Sequence, residues 1–121
     1  MIVLVTGGRD YNDRETVRRT LDRVHAEHHI RLLVHGCATG ADTLAAIWAM
    51  ERGIQPAGCP ALWDFYSKPA GTIRNTAMLL IKPELVVVFP GGFGTANMVG
   101  QAKQAHIRII EAVDNSDLIG E

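Results

Sequence analysis

The sequence predicts an α/β fold, a single doubly wound parallel sheet of about five strands with helices on both faces. Three observations carry that prediction. Short apolar runs alternate with longer helical stretches along the chain. The run Leu85 to Phe89 is apolar on both faces, as a strand inside a parallel sheet must be. The two most glycine-rich segments follow the first and fourth strands, which are neighbours in the common order 3-2-1-4-5.

Ile2 to Val5 reads as a buried strand. Asn12 to about Glu27 reads as a helix, with Asn12 as N-cap, Glu15 at the capping-box spacing, and Val17, Leu21 and Val24 as its apolar stripe. Arg31 to His35 is the second strand. Ala41 to Arg52 is a helix with Leu44, Ile47 and Trp48 on one face and Gly53 as its stop. Ile54 to Cys59 is a third strand, and Pro56 assigns it to a sheet edge. Pro60 to Lys68 is a loop. Pro69 to Ile81 is a helix with proline in its first turn, and Pro83 lies just past its end. Leu85 to Phe89 is the fourth strand, Thr95 to about His106 the last helix and Ile107 to Val113 the last strand. Asp114 to Glu121 reads as a polar tail.

A chain of 121 residues can bury one core, so residues 1–121 are expected to form one domain. No apolar run reaches the roughly 18 residues that span a membrane. The N-terminus lacks the basic and small-residue pattern of a signal peptide. Cys37 and Cys59 are the two cysteines, a usage that suits a reducing cytoplasm. The net charge of −1 gives no global attraction to nucleic acid. No carboxylate or cysteine spacing joins His25, His28 and His29 into a metal site. Arg14, Arg18, Arg19 and Arg23 interleave with Asp13, Glu15, Asp22 and Glu27, the pattern of a solvated helix face.

The candidate site lies where strand ends meet loops. Val86 to Thr95 runs from strand through Gly91, Gly92 and Gly94 into a helix, so main-chain N–H groups and the helix dipole favour a phosphate there. Gly7, Gly8 and Arg9 face this turn across the predicted crevice. A third loop carries Gly36, Cys37, Gly40 and Asp42. Asp42 suits a ribose or base contact and equally suits the start of a helix. Arg74 works against the dipole of its own helix, so a phosphate or carboxylate partner would account for it; Asn75 adjoins it. Trp63 and Tyr66 suit either base stacking or core closure. Neither G-x-G-x-x-G nor G-x-x-x-x-G-K-[ST] is present, which removes support from dinucleotide-oxidoreductase and P-loop readings.

Four ordered motifs carry a family resemblance. They are Thr6-Gly7-Gly8-Arg9-Asp10-Tyr11, His35-Gly36-x-Ala38-x-Gly40-Ala41-Asp42, Ala70-Gly71-x-x-Arg74-Asn75-x-x-Met78 and Phe89-Pro90-Gly91-Gly92-x-Gly94-Thr95. The chain resembles the YspA/YpsA-related branch of the SLOG superfamily, from Ile2 to about Ile110. That superfamily takes in the Lonely guy hydrolases, the DprA DNA-processing proteins and nucleotide-sensing domains of defence systems. The resemblance implies a Rossmann-like fold, a nucleotide or nucleotide-derived ligand and a homodimer. No cofactor is required by it, although Mg²⁺ could accompany a phosphorylated ligand.

In the Lonely guy hydrolases the last motif extends to P-G-G-x-G-T-x-x-E, and its glutamate serves catalysis. Met98 stands at the matching position and cannot transfer a proton. The expectation is therefore a protein that holds a nucleotide through Gly7, Gly8, Arg9, Gly36, Gly40, Asp42, Arg74, Asn75, Gly91, Gly92, Gly94 and Thr95. The alternative is a nucleoside 5'-monophosphate phosphoribohydrolase. Arg74 and Asp42 are then its catalytic candidates, and Asp10, Asp42 or Asp64 the substitute carboxylate; under the binding expectation, Met98→Glu raises turnover if the rest of the crevice matches. A DprA-like grip on single-stranded DNA is weaker, because no basic groove with aromatic platforms is legible.

Overall fold

A computed structural model describes residues 1–62 and 69–112. Trp63, Asp64, Tyr66 and the tail from Asp114 lie outside the described residues. The elements are β1 (Ile2–Thr6), α1 (Arg14–His28), β2 (Leu32–His35), α2 (Ala41–Glu51), β3 (Gln55–Gly58), α3 (Ala70–Leu79), β4 (Leu85–Val88), α4 (Phe93–Gln104) and β5 (Arg108–Glu111). The strands form one parallel sheet in the order β3-β2-β1-β4-β5. Val3 pairs with Leu85 and Thr6 with Val88, so β1 and β4 run side by side to the site. Pro56 lies on β3, at the edge, as the missing N–H requires.

Alternation along the central strands divides the core between the two faces. Val3, Val5, Leu85, Val87 and Phe89 join Val17, Leu21 and Val24 of α1 and Ala45, Trp48 and Ala49 of α2. Leu4, Val34, Val86 and Val88 join Met78 of α3 and Met98 and Ala102 of α4. Each large apolar side chain buried this way contributes about 1.5–3 kcal/mol. The chain thus winds α1 and α2 on one face, crosses to the other with α3, and returns to β4 beside β1. The crossing leaves a crevice beyond the ends of these two strands.

The helix ends differ from the sequence reading in detail. Asp13, rather than Asn12, caps α1. Its carboxylate accepts from the Thr16 main-chain N–H at 3.0 Å and the Thr16 hydroxyl at 2.6 Å. Thr16 is the third helical residue after Asp13, the position an N-cap side chain reaches. Glu15 instead pairs with Arg18. On α2, Ile47 faces outward and the buried row is Ala41, Ala45, Trp48 and Ala49. Small residues at that spacing let the helix lie close to the sheet, and Ile47 falls off the row. Pro69 is the N-cap of α3 rather than part of its first turn. The last helix starts at Phe93, two residues before Thr95, so Gly94 belongs to its first turn rather than to the loop.

Candidate functional site

A crevice of about 670 Å³ opens at the switch point between β1 and β4. Three loops build it, and they are laced together through the main chain. Gly8 N–H donates to Pro90 O at 2.8 Å, Phe89 N–H to Thr6 O at 2.9 Å, and Ala41 N–H to Gly8 O at 3.2 Å. The Thr39 hydroxyl adds a bond to Arg9 O at 3.0 Å.

This lacing explains one set of glycines. A Cβ at Gly7 would sit 2.5 Å from Ala41 Cβ, and one at Gly91 would sit 2.7 Å from Gly8 N. Gly40 combines a φ of +75° with a Cβ position 2.5 Å from Arg9 O. These residues are glycine so that the loops can touch each other. Gly92 and Gly94 are different. A Cβ at either would meet nothing within 4 Å, yet both line the crevice. They flank the start of α4, whose N-cap residue Gly92 makes no side-chain capping bond. The first N–H groups of a helix have no intrahelical acceptor. The crevice therefore meets an uncapped helix N-terminus with no side chain in the way.

Asp42 is 5% exposed and occupied. Its Oδ2 accepts from Gly36 N–H at 2.8 Å and Ala38 N–H at 3.2 Å. It braces the loop after β2 and presents its remaining edge to the crevice. Burial pushes its carboxyl up from the ordinary range, and the two main-chain bonds, His35 and Arg74 oppose that push. Burial pulls the His35 imidazole down, against the pull of Asp42. Its Nδ1 accepts from Cys37 N–H at 3.1 Å, so the ring orders the turn.

Asn75, 2% exposed, is a brace as well. Its amide donates to Gly94 O at 3.1 Å and Asn97 Oδ1 at 3.0 Å, and accepts from Arg74 Nε at 3.0 Å. Arg74 Nη1 donates to Gly36 O. Among the described residues no carboxylate comes within ion-pair distance of Arg74.

Gly7, Gly8, Arg9, Asp42, Arg74, Asn75, Gly91, Gly92, Gly94 and Thr95 all line the crevice. Gly36 does not; it lines a neighbouring cavity. Gly40 lines neither among the described residues and serves loop contact instead. Sequence reasoning missed Phe93, Asn97 and Thr72. Phe93 is 83% exposed at the mouth of the crevice, a cost that a core role does not explain. The x of the glycine motif was the available signal. Asn97 is linked to Asn75, a partnership no spacing reveals.

Met98 corrects another expectation. It is 0% exposed, lies among Leu4, Val86 and Val88, and does not line the crevice. A glutamate there would enter the core rather than the crevice. Asp10 and Asp42 are the crevice-lining carboxylates among the described residues. Among the described residues, no group of three or more His, Cys, Asp or Glu is arranged to hold a metal. No helix among the described residues is long and apolar enough to cross a membrane.

The chain is similar to known proteins in sequence and in fold. The profile of the YspA, cpYpsA-related SLOG family matches residues 1–66. The Gene 61 protein of Mycobacterium phage D29 is 35% identical over 120 residues, covering 93% of this chain and 96% of that protein. The X-ray structure of TM1055 superposes with a TM-score of 0.68 at 19% identity, over 89% of this chain and 71% of that one. DNA processing protein A (DprA) from Streptococcus pneumoniae superposes with a TM-score of 0.58 at 16% identity. That match covers 99% of this chain but only 61% of DprA. At such identities the two structures speak for the fold alone. The sequence matches reach further, and by them the chain belongs to the YspA, cpYpsA-related SLOG family.

Proposed function

We propose that the crevice binds a nucleotide or nucleotide-derived ligand by its phosphate and holds it without cleaving it. The observation that carries this reading is the pair Gly92 and Gly94. Neither is needed to make room for protein atoms, and both clear the approach to the uncapped start of α4. Phosphates bind such helix starts because N–H groups point at them and the dipole favours negative charge, a term of about 0.3–1 kcal/mol at an exposed site. Arg74, on the wall of the same crevice, supplies a guanidinium of the shape that grips phosphate oxygens. Phe93 offers a flat apolar face at the mouth for a base.

Holding is favoured over hydrolysis by the carboxylates. Met98 is in the core, and Asp42 already accepts two main-chain N–H bonds. The test is calorimetry across ribonucleoside monophosphates and diphosphates, beside mass spectrometry of ligands released from the purified protein. Saturable binding that Gly94→Ala abolishes supports the reading. Binding that is equal in the parent and in Gly94→Ala overturns it.

A further inference from the structure

Cys37 and Cys59 follow the ends of two neighbouring strands, and both are free thiols. β2 and β3 pair with His35 opposite Gly58. His35 then anchors both cysteines. Its carbonyl accepts from Cys59 N–H at 2.8 Å, and its Nδ1 accepts from Cys37 N–H at 3.1 Å. Paired strands lie about 4.7–4.9 Å apart, and a disulfide accepts Cα separations up to about 6.8 Å. The ends of β2 and β3 are therefore within its span.

Gly58 keeps a place for one of the two sulfurs. A Cβ at that position would collide with Cys37 Sγ. The thiol of Cys37 thus rests on bare main chain, one residue from Cys59. Cys37 itself has a φ of +61°, a region that residues with a Cβ disfavour. Its turn is held by contacts and is not at ease on its own.

The two thiols also differ in the way a reacting pair needs. Cys37 is exposed and meets a solute first. Cys59 is half-buried and packs against the cluster that holds Leu4, Val34 and Met78. Burial holds its thiol above the ordinary range, a charge on Cys37 adds to that push, and Arg74 opposes it. Oxidation of Cys37 to a neutral sulfenic acid removes the charge, so Cys59 then ionises more readily.

We infer that Cys37 and Cys59 are a reversible thiol–disulfide pair that a peroxide oxidises, and that its closure moves the turn after β2 on the crevice wall. With hydrogen peroxide, the Cys37 thiolate attacks one oxygen. An S–O bond forms, the O–O bond breaks, and one water leaves after protonation. The Cys59 thiolate then attacks the sulfenic sulfur. The S–S bond forms, the S–O bond breaks, and a second water leaves. Two thiols give up two electrons and two protons, and the peroxide takes them.

Cys59 is turned partly into the core, so the exposed turn must come to it. The Gly36–Cys37 peptide lies in that turn. Its carbonyl accepts from Arg74 Nη1, and its N–H is the one bonded to His35. Gly36 and Ala38 N–H, on either side, both bond to Asp42. Closure pulls on all of these contacts, and Asp42 and Arg74 line the crevice.

The test treats the reduced full chain, at low protein concentration, with hydrogen peroxide. The intact mass is expected to fall by two hydrogens, and both thiols should stop reacting with iodoacetamide. Trypsin cuts after Arg52, which lies between the two cysteines, so their peptides should emerge still joined. Dithiothreitol should restore both thiols. Cys37→Ser and Cys59→Ser should each abolish the link, and Cys59→Ser should leave a sulfenic acid on Cys37 that dimedone traps. Oxygen added to Cys37 in the parent with the peptides unlinked, or a link between two molecules, overturns the pair. Hydrogen exchange followed by NMR reads the coupling without any ligand. Gly36 and Ala38 N–H should lose protection on oxidation and regain it on reduction. A disulfide that leaves their exchange unchanged overturns the movement of the turn. Neither result bears on whether the crevice holds a phosphate.

Discussion

The side-chain amide of Asn75 donates to the main-chain carbonyl of Gly94 at 3.1 Å, which ties α3 to the first turn of α4. The same amide accepts from Arg74 at 3.0 Å. One buried side chain thus orients both the helix start and the arginine that face the crevice. The helix start and the arginine are held in register by a neutral group.

Removing that brace should cost stability and affinity together. Asn75→Ala leaves the Gly94 carbonyl and Asn97 Oδ1 without this donor. Gln101 Nε2 still donates to Asn97 Oδ1 at 2.9 Å, so the loss is that of the two hydrogen bonds themselves, about 0.5–1.5 kcal/mol each. Asn75→Asp keeps the acceptor for Arg74 but loses both donations and sets a negative charge by the helix start. It should bind nucleotides more weakly than Asn75→Ala. Urea unfolding and calorimetry check the pair, and a stronger-binding aspartate variant would refute the electrostatic part.

The glycines should separate by role. Gly94→Ala lies in a helix with open space around the added methyl, so stability should hold or rise by about 0.4–1 kcal/mol. Gly92→Val should likewise fold. Both should lose nucleotide affinity. Gly91→Ala should instead unfold more easily, because its Cβ would meet Gly8 N at 2.7 Å. A melting point for Gly91→Ala no lower than that of Gly94→Ala would contradict the division.

The topology was legible because β4 is apolar on both faces and the helix stripe of Val17, Leu21 and Val24 is regular. The site loops were legible because glycine clusters at strand ends announce themselves. Which glycine serves the protein and which the ligand was not, since that depends on distances such as Gly7 to Ala41 across 34 positions of sequence. The role of Asp42 was equally hidden. Its partners Gly36 and Ala38 lie close in sequence, but only the folded turn aims their N–H groups at one oxygen.

Acid should loosen the loop after β2 through His35. Its folded pKa lies below the usual 6.5, and its Nδ1 must stay unprotonated to accept from Cys37. A lowered imidazole pKa means the unfolded chain binds the proton more readily. The contribution is present above about 6.5 and is lost as pH falls from there through the folded value. His35→Asn keeps an acceptor without the titration. Unfolding free energies between about pH 8 and 5 should fall more steeply in the parent than in this variant. Equal slopes would remove His35 from the account.

Asp42 should act in the opposite sense. Its folded pKa is raised above 3.8, so the folded state holds the proton more tightly than the unfolded chain. Stability therefore falls as pH rises from about 3.8 through the folded value, and the ionised carboxylate costs stability at neutral pH. Asp42→Asn keeps an oxygen for Gly36 and Ala38 and removes the charge. It should be at least as stable as the parent at pH 7. Asp42→Ala should be weaker by about 1–3 kcal/mol for each N–H left unpaired. An asparagine variant as unstable as the alanine one would show that the charge itself is required.

Met98 tests holding against cleavage. Breaking an N-glycosidic bond calls for a positioned acid or base, a contribution of about 10²–10⁴-fold. The position where the related hydrolases place that group is fully buried here, beside Leu4, Val86 and Val88. A glutamate would carry its charge into that core, where an unpaired buried charge costs about 3–5 kcal/mol. Against a typical domain stability of about 5–15 kcal/mol, that is a large fraction. Met98→Glu should therefore melt far lower than Met98→Leu and release no base from AMP, GMP, CMP, UMP or IMP. The parent should release none either. Chromatography of the five reaction mixtures reads both outcomes at once. Base release by the parent that follows the protein through repeated purification would replace holding with hydrolysis. Asp10, the other described carboxylate on the crevice wall, would then be the first side chain to change.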